Sequence, residues 1–349
     1  MVQNRVAARR SDADRSSIRA RRCTLDATQE SGPSVRATQF AMGTIMSYTV
    51  FGPAARASLA AACGEIERLD SLLSRFSADS EIARINRGAG REPVPIGPQT
   101  HAVLLEASAF SRRCPDCFAV TVGPLVDLWN IGVKSLHRPD QSKIEQARGL
   151  VNDGDLILDP LKPSAGLRRA GQSVDLGAIG KGFAGDRIRE VFHRCGIRAA
   201  YANLGGNVVA VGSRPDGLPW RIGIQHPRDT DRLIGCVSVV DRSAVTSGDY
   251  QRYVTDSRGN RHHHILDPST GYPADSGLIS VTVVSPGAMV ADALATALFV
   301  AGIERGLELL EHYPGTDAVF VHSDLRVSIT AGLKHRFQAG QNTEFTIMD

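Results

Sequence analysis

Ser173-Val-Asp-Leu-Gly-Ala-Ile-Gly-Lys-Gly-Phe-Ala-Gly-Asp186 is the stretch on which the reading of the chain turns. A predicted strand ends near Leu176, a turn spans Gly177 to Gly182, and a helix follows. The helix shows apolar residues at Ala184, Ile188, Val191, Phe192 and Cys195, the spacing of one helical face. Gly196 stands where a glycine in the left-handed conformation ends a helix. Glycines let a backbone approach a ligand closely, and the free N–H groups of a helix start attract anions. Phosphate is the natural guest of such a loop.

Two phosphate motifs are tested against it and set aside. Gly180, Gly182 and Gly185 have dinucleotide-fingerprint spacing, but that motif needs an acid about 20 residues on. None occurs between Glu190 and Asp216. A Walker A loop needs Ser or Thr directly after its lysine, and Gly182 follows Lys181. Taken alone, the glycines fit tight strand-to-helix packing as well as they fit ligand binding.

The bulk composition bounds the class. With 349 residues, 42% hydrophobic and 22% charged, the chain has the makeup of a globular enzyme with ample core. A formal net charge of +3 and the lack of a basic stripe interleaved with aromatics speak against nucleic acid. No apolar run reaches the length of a membrane span. The six cysteines are scattered, as buried thiols in a reducing compartment are. Cys114-Pro-Asp-Cys117 has the spacing of a redox or metal pair but no second pair, and is expected to be incidental. Residues 1–36 hold eight arginines and no apolar run after them, so they are expected to be a disordered basic extension, with 37–349 as the folded domain and the cytoplasm as its location.

Along the folded part, strands are expected at Thr44–Val50, Leu156–Leu158, Val174–Leu176, Ala199–Leu204, Val208–Val211, Trp220–Gln225, Cys236–Val240, Ser243–Thr246, Ile279–Val284, Ala318–Val321 and Val327–Ile329. Helices are expected at Ala54–Phe76, after an Asp79 or Ser80 cap, at Gln99–Arg113, from Gly287 to Gly302, and at Ile303–His312. Gly205-Gly206 signals a hairpin. Phe118 to Trp129 mixes strand and turn signals, and Lys134–Arg148 reads as a polar surface insertion. Asp292 and Thr296, four apart, share one helix face. Hard oxygens so placed suit Mg²⁺, and they equally suit a first-turn acid and a back-bonded threonine.

The ordered set of these segments resembles the ApbE family, the FAD:protein FMN transferases. It runs from Phe40 to about Gly332 through Ala41-Met-Gly-Thr44, Asp79-Ser-Glu81 with Asn86, Thr121-Val-Gly-Pro-Leu-Val126 with Leu128-Trp129, and the opening stretch. Gly205-Gly206, Thr246-Ser-Gly-Asp-Tyr250, His264-Ile-Leu-Asp-Pro268 with Thr270-Gly-Tyr-Pro273, and Ala291-Asp-Ala-Leu-Ala-Thr296 complete it. Each motif is weak by itself, and the order makes the set specific.

The resemblance implies an α+β fold of two closely joined lobes with mixed β-sheets and flanking helices. It implies Mg²⁺-dependent transfer of FMN from FAD to a Thr or Ser hydroxyl of an acceptor protein, with release of AMP. Ala178 (through its carbonyl), Asp292 and Thr296 would hold the metal. Met42, Phe76, Cys117, Phe118, Ala119, Asp175, Lys181 and Leu266 would line the FAD site, with Thr246, Ser247 and Asp249 at the adenosine or phosphate end. Lys181 would also stabilise charge on the diphosphate as the bond to AMP breaks. His264 is the candidate for accepting the hydroxyl proton, and a purely structural role in the Asp267 turn remains its alternative. Where the family reads Phe-Asp this chain reads Phe118-Ala119, so one carboxylate is missing. Two alternatives stand beside transfer: hydrolysis of FAD to FMN and AMP, and flavin binding without catalysis.

Overall fold

The computed structural model describes residues 24–28, 34–131, 138–159, 161–256, 259–341 and 343–348. Its framework is a ten-stranded sheet whose spatial order follows the chain: β1 (Thr24–Thr28), β2 (Ser34–Ala41), β3 (Thr44–Phe51), β4 (Ala199–Leu204), β5 (Asn207–Gly212), β6 (Ser243–Gly248), β7 (Leu278–Ser285), β8 (Asp317–His322), β9 (Val327–Thr330) and β10 (Phe345–Met348). Neighbours are antiparallel except β9 and β10, which run parallel. The β4–β5 hairpin turns on Gly205 (φ 66°) and Gly206 (φ 99°), both in the region that a two-residue hairpin of this hand requires. Of the expected extension, residues 1–23 lie outside those described, whereas 24–28 and 34–36 belong to strands.

The helices are α1 (Ala55–Leu73), α2 (Glu81–Arg87), α3 (Pro98–Arg113), α4 (Gly123–Trp129), α5 (Gln141–Arg148), α6 (Gly180–Arg194), α7 (Ala288–Ala301) and α8 (Ile303–Glu311). Period-two alternation sends successive strand residues to opposite faces, and the two faces of the sheet carry different cores. On one, Val209, Val245 and Val281 pack with Leu59 and Ile66 of α1, Ile188 and Phe192 of α6, and Leu294 and Leu298 of α7. On the other, Val208, Ala210, Ala244 and Val284 meet Ile222 and Val237 of a three-stranded sheet formed by Trp220–His226, Asp229–Val239 and Phe337–Ala339. The result is the expected α+β class with mixed sheets and flanking helices.

Three local expectations need correction. Val174–Leu176 is not a strand. The isolated bridge to Val122 belongs to the preceding Ser173, Asp175 N donates to the Val120 carbonyl at 2.8 Å, and the Asn86 side chain holds both backbone polar groups of Val174 (2.7 and 3.0 Å). The end of the Phe118–Trp129 stretch is a helix, α4, opening with Pro124 in its first turn, where a missing N–H costs nothing. The Lys134–Arg148 stretch is not simply a surface insertion. Residues 134–137 lie outside those described, but α5 buries Ile144 and Ala147 against Leu125, Trp129 and Leu266. Ser80, not Asp79, caps α2, accepting from Ala83 N at 3.0 Å.

Candidate active site

The opening stretch lies where α6 crosses α7. The helix starts at Gly180, earlier than the sequence suggests, so Lys181 and Gly182 sit in its first turn. Gly182 is the point of closest approach: a Cβ there would lie 2.6 Å from Asp292 Cβ and 2.7 Å from Met289 Cα. The packing reading of the glycines is met at this residue. Bare backbone at Gly182 permits the crossing, and the crossing brings Lys181 Nζ to 3.8 Å from Asp292 Oδ1.

Asp292 is buried, and its Oδ2 accepts from Gly182 N at 2.8 Å. Thr296, one turn further along α7, has its hydroxyl 3.2 Å from that of Ser247 on β6. The helix-face placement of Asp292 and Thr296 thus holds, and Ser247 joins them. Ala178 sits in the turn immediately before α6. Among the described residues no three His, Cys, Asp or Glu side chains cluster as metal ligands. The available set is one buried carboxylate, one hydroxyl and a backbone carbonyl, all hard oxygens, and its chemistry fits Mg²⁺.

One side of the loop is fixed by Asp175. Its carboxylate accepts from Gly177 N (2.7 Å) and from Arg75 Nη1 (2.7 Å), while Arg75 Nη2 reaches Asp127 at 2.6 Å. Phe76 beside it is 86% exposed, with the Arg75 guanidinium carbon 5.6 Å from its ring centroid. Met42 adopts φ 48° in the β2–β3 turn, and its methyl carbon lies 3.6 Å from where a Cβ on Gly180 would stand.

His264 stands on the other side. Its Nδ1 and its backbone N both lie 3.1 Å from the Arg252 carbonyl. A carbonyl only accepts, so Nδ1 carries the proton and Nε2 keeps its lone pair. Burial, then the neighbouring Arg252 charge, pushes the His264 pKa down to about 3. Lys181 acts in the same direction.

Several expected contacts are not brought together as side chains. Thr246 and Ser247 are adjacent in a strand and point to opposite faces; Thr246 bonds Thr282 at 2.8 Å, on the side away from α7. The Asp249 carboxylate is consumed by a two-pronged ion pair with Arg228 (2.6 and 2.7 Å). Cys117 forms a disulfide with Cys114, against the expectation of incidental thiols, and Phe118 packs edge-on against Phe110 at 4.8 Å. Leu266 belongs to the small core with Leu125 and Trp129. Cys117, Phe118 and Leu266 are buried, and only Ala119 of the segment 117–119 is partly open. Sequence reasoning missed Arg75, which bridges two carboxylates, and Asp186, which bonds the start of α7. Asp186 closes the glycine-rich stretch, but its partners lie about 100 residues further along the chain, and local spacing carries no signal of them.

The chain matches the model of the ApbE family over residues 42–320. It is similar to a FAD:protein FMN transferase of Klebsiella pneumoniae (strain 342), 37% identical over 273 residues that span 78% of this chain and 84% of that one. It is 34% identical to a FAD:protein FMN transferase of Treponema pallidum (strain Nichols), over 85% of this chain and 87% of that one. The solved structure of flavin transferase ApbE from Vibrio cholerae superposes with a TM-score of 0.77 at 28% identity, covering 89% of this chain and all of that one (100%). The ApbE protein of Thermotoga maritima gives 0.77 at 30% identity, covering 87% and 96%. The α+β fold is thus shared with these two solved structures. The chain belongs to the ApbE family.

Proposed function

We propose that this protein is a FAD:protein FMN transferase: it moves FMN from FAD to a Thr or Ser hydroxyl of an acceptor protein through a phosphoester and releases AMP. The observation that carries the reading is the α6–α7 crossing, where Lys181 and the buried Asp292 face each other beside Thr296 and Ser247. Family membership supplies the substrate class.

In this reading Ala178 O, Asp292 and Thr296 would hold Mg²⁺, which would supply positive charge to the diphosphate. Lys181 and the positive end of α6 attract the same diphosphate. Asp175, braced by Arg75, fixes the turn at Gly177 so that the backbone meets the ligand in one conformation. Met42 and Phe76 flank the flavin with apolar surface. His264 Nε2 takes the proton of the acceptor hydroxyl. The oxygen attacks the flavin-side phosphorus, the bond to the AMP oxygen breaks, and AMP leaves with the electron pair.

The test is incubation with FAD and Mg²⁺, with and without an acceptor protein. Transfer gives one AMP per flavin-bearing acceptor and little AMP when the acceptor is omitted. Equal AMP release in both arms would establish hydrolysis instead, and retention of intact FAD in both would establish a binding protein.

A further inference from the structure

The two helices that meet at the site cap each other. A helix start leaves backbone N–H groups without intrahelical partners, and neither α6 nor α7 has a side-chain cap of its own: Ile179 and Gly287 stand at the cap positions. Asp292 of α7 supplies the acceptor for Gly182 N in α6. In return Asp186 of α6 accepts from Ala288 N at 2.7 Å and Met289 N at 2.9 Å in α7. Arg189, one turn further along α6, bonds the Pro286 carbonyl and the Ser243 hydroxyl, tying the segment that leads into α7 to the same helix. Gly185 keeps the gap narrow, since a Cβ there would lie 3.0 Å from Ala288 Cβ and 2.9 Å from Val209 Cγ2.

We infer that Asp186 is a positioning residue for the metal-binding carboxylate. Two bonds from one rigid carboxylate fix both the height and the rotation of α7 against α6. Asp292, one turn along α7, inherits that placement, and so does its separation from Lys181. The inference rests on the reading of Asp292 as a metal ligand. Asp186 itself does not reach the ligand site, because both its oxygens are turned to the α7 start.

Mn²⁺ binding in the presence of FAD, followed by electron paramagnetic resonance, tests this without reference to turnover. Asp186→Ala is expected to raise the Mn²⁺ dissociation constant about ten- to a hundredfold, the usual effect of removing a partner that orients a ligand. Asp186→Asn keeps one acceptor oxygen and the volume, is expected to lose less, and serves in place of Asp186→Ala should that variant not fold. Val237→Ala opens a cavity in the core on the opposite face of the ten-stranded sheet and is the control for lost stability. Mn²⁺ affinity within twofold of the parent in the folded Asp186 variant overturns the inference, as does an equal loss in Val237→Ala. Asp292→Ala separates the two claims. If it abolishes Mn²⁺ binding while the Asp186 variants bind normally, only the positioning role fails; if it leaves binding intact, the metal reading fails as well.

Discussion

His264 shows how surroundings set the protonation state of one side chain. Burial and the Arg252 charge hold its pKa near 3, and the Arg252 carbonyl fixes the proton on Nδ1. The imidazole is therefore an uncharged base throughout the neutral range. A rate profile between pH 5 and 8 is expected to lack an acid limb from this group, and His264→Ala is expected to lower the rate by about 10²–10⁴. The same shift acts on stability. The folded pKa lies below the unfolded value of about 6.5, so on acidification the unfolded chain takes the proton first. The contribution is complete above pH 6.5 and is lost as pH falls from there toward 3. His263, also lowered by burial, adds in the same direction. Melting temperatures measured at pH 7 and pH 4 are expected to differ less in His264→Gln than in the parent chain. The histidine was legible in the sequence as a candidate base, but its half-buried setting was not, because Lys181 reaches it from a distant segment.

At the scale of elements, the crossing of α6 and α7 decides what the loop can do. Gly182→Ala would place a methyl group within 2.6 Å of Asp292 Cβ, and overpacking of this kind costs about 1–3 kcal/mol. Thermal unfolding is expected to show that loss, and Mn²⁺ titration a weaker site. Lys181→Ala leaves the crossing intact and is expected to weaken FAD binding chiefly, as measured by flavin fluorescence. Strand alternation gives a sharper contrast: Ser247→Ala removes a hydroxyl bonded to Thr296, whereas Thr246→Ala acts on the opposite face. A steady-state assay is expected to find activity lowered in the first and close to the parent in the second. Helix limits were readable where glycines bound an apolar run, as at Gly287 and Gly302 around α7. The Val174 segment was not, because an Asn86 side chain stands in for a strand neighbour, and periodicity cannot report such a substitution.

Across the whole molecule, the ten-stranded sheet carries the loop-bearing helices on one face and a second small sheet on the other. Residues far apart in sequence, such as Lys181 and Asp292, meet because α6 and α7 lie side by side on that first face. Sequence motifs in order named the family and marked the Lys181 and Asp292 segments that meet at the crossing; they could not say which side of the sheet Thr246 faces or that Arg228 already occupies Asp249. Among the described residues no helix is long and apolar enough to cross a membrane. The most direct measurement is the anomalous scattering of Mn²⁺ in a crystal grown with FAD. The expected result is one peak within metal–oxygen bonding distance of Asp292, Thr296 and the Ala178 carbonyl, with the FAD diphosphate between it and Lys181. A peak away from the α6–α7 crossing, or a diphosphate bound elsewhere, would contradict the account.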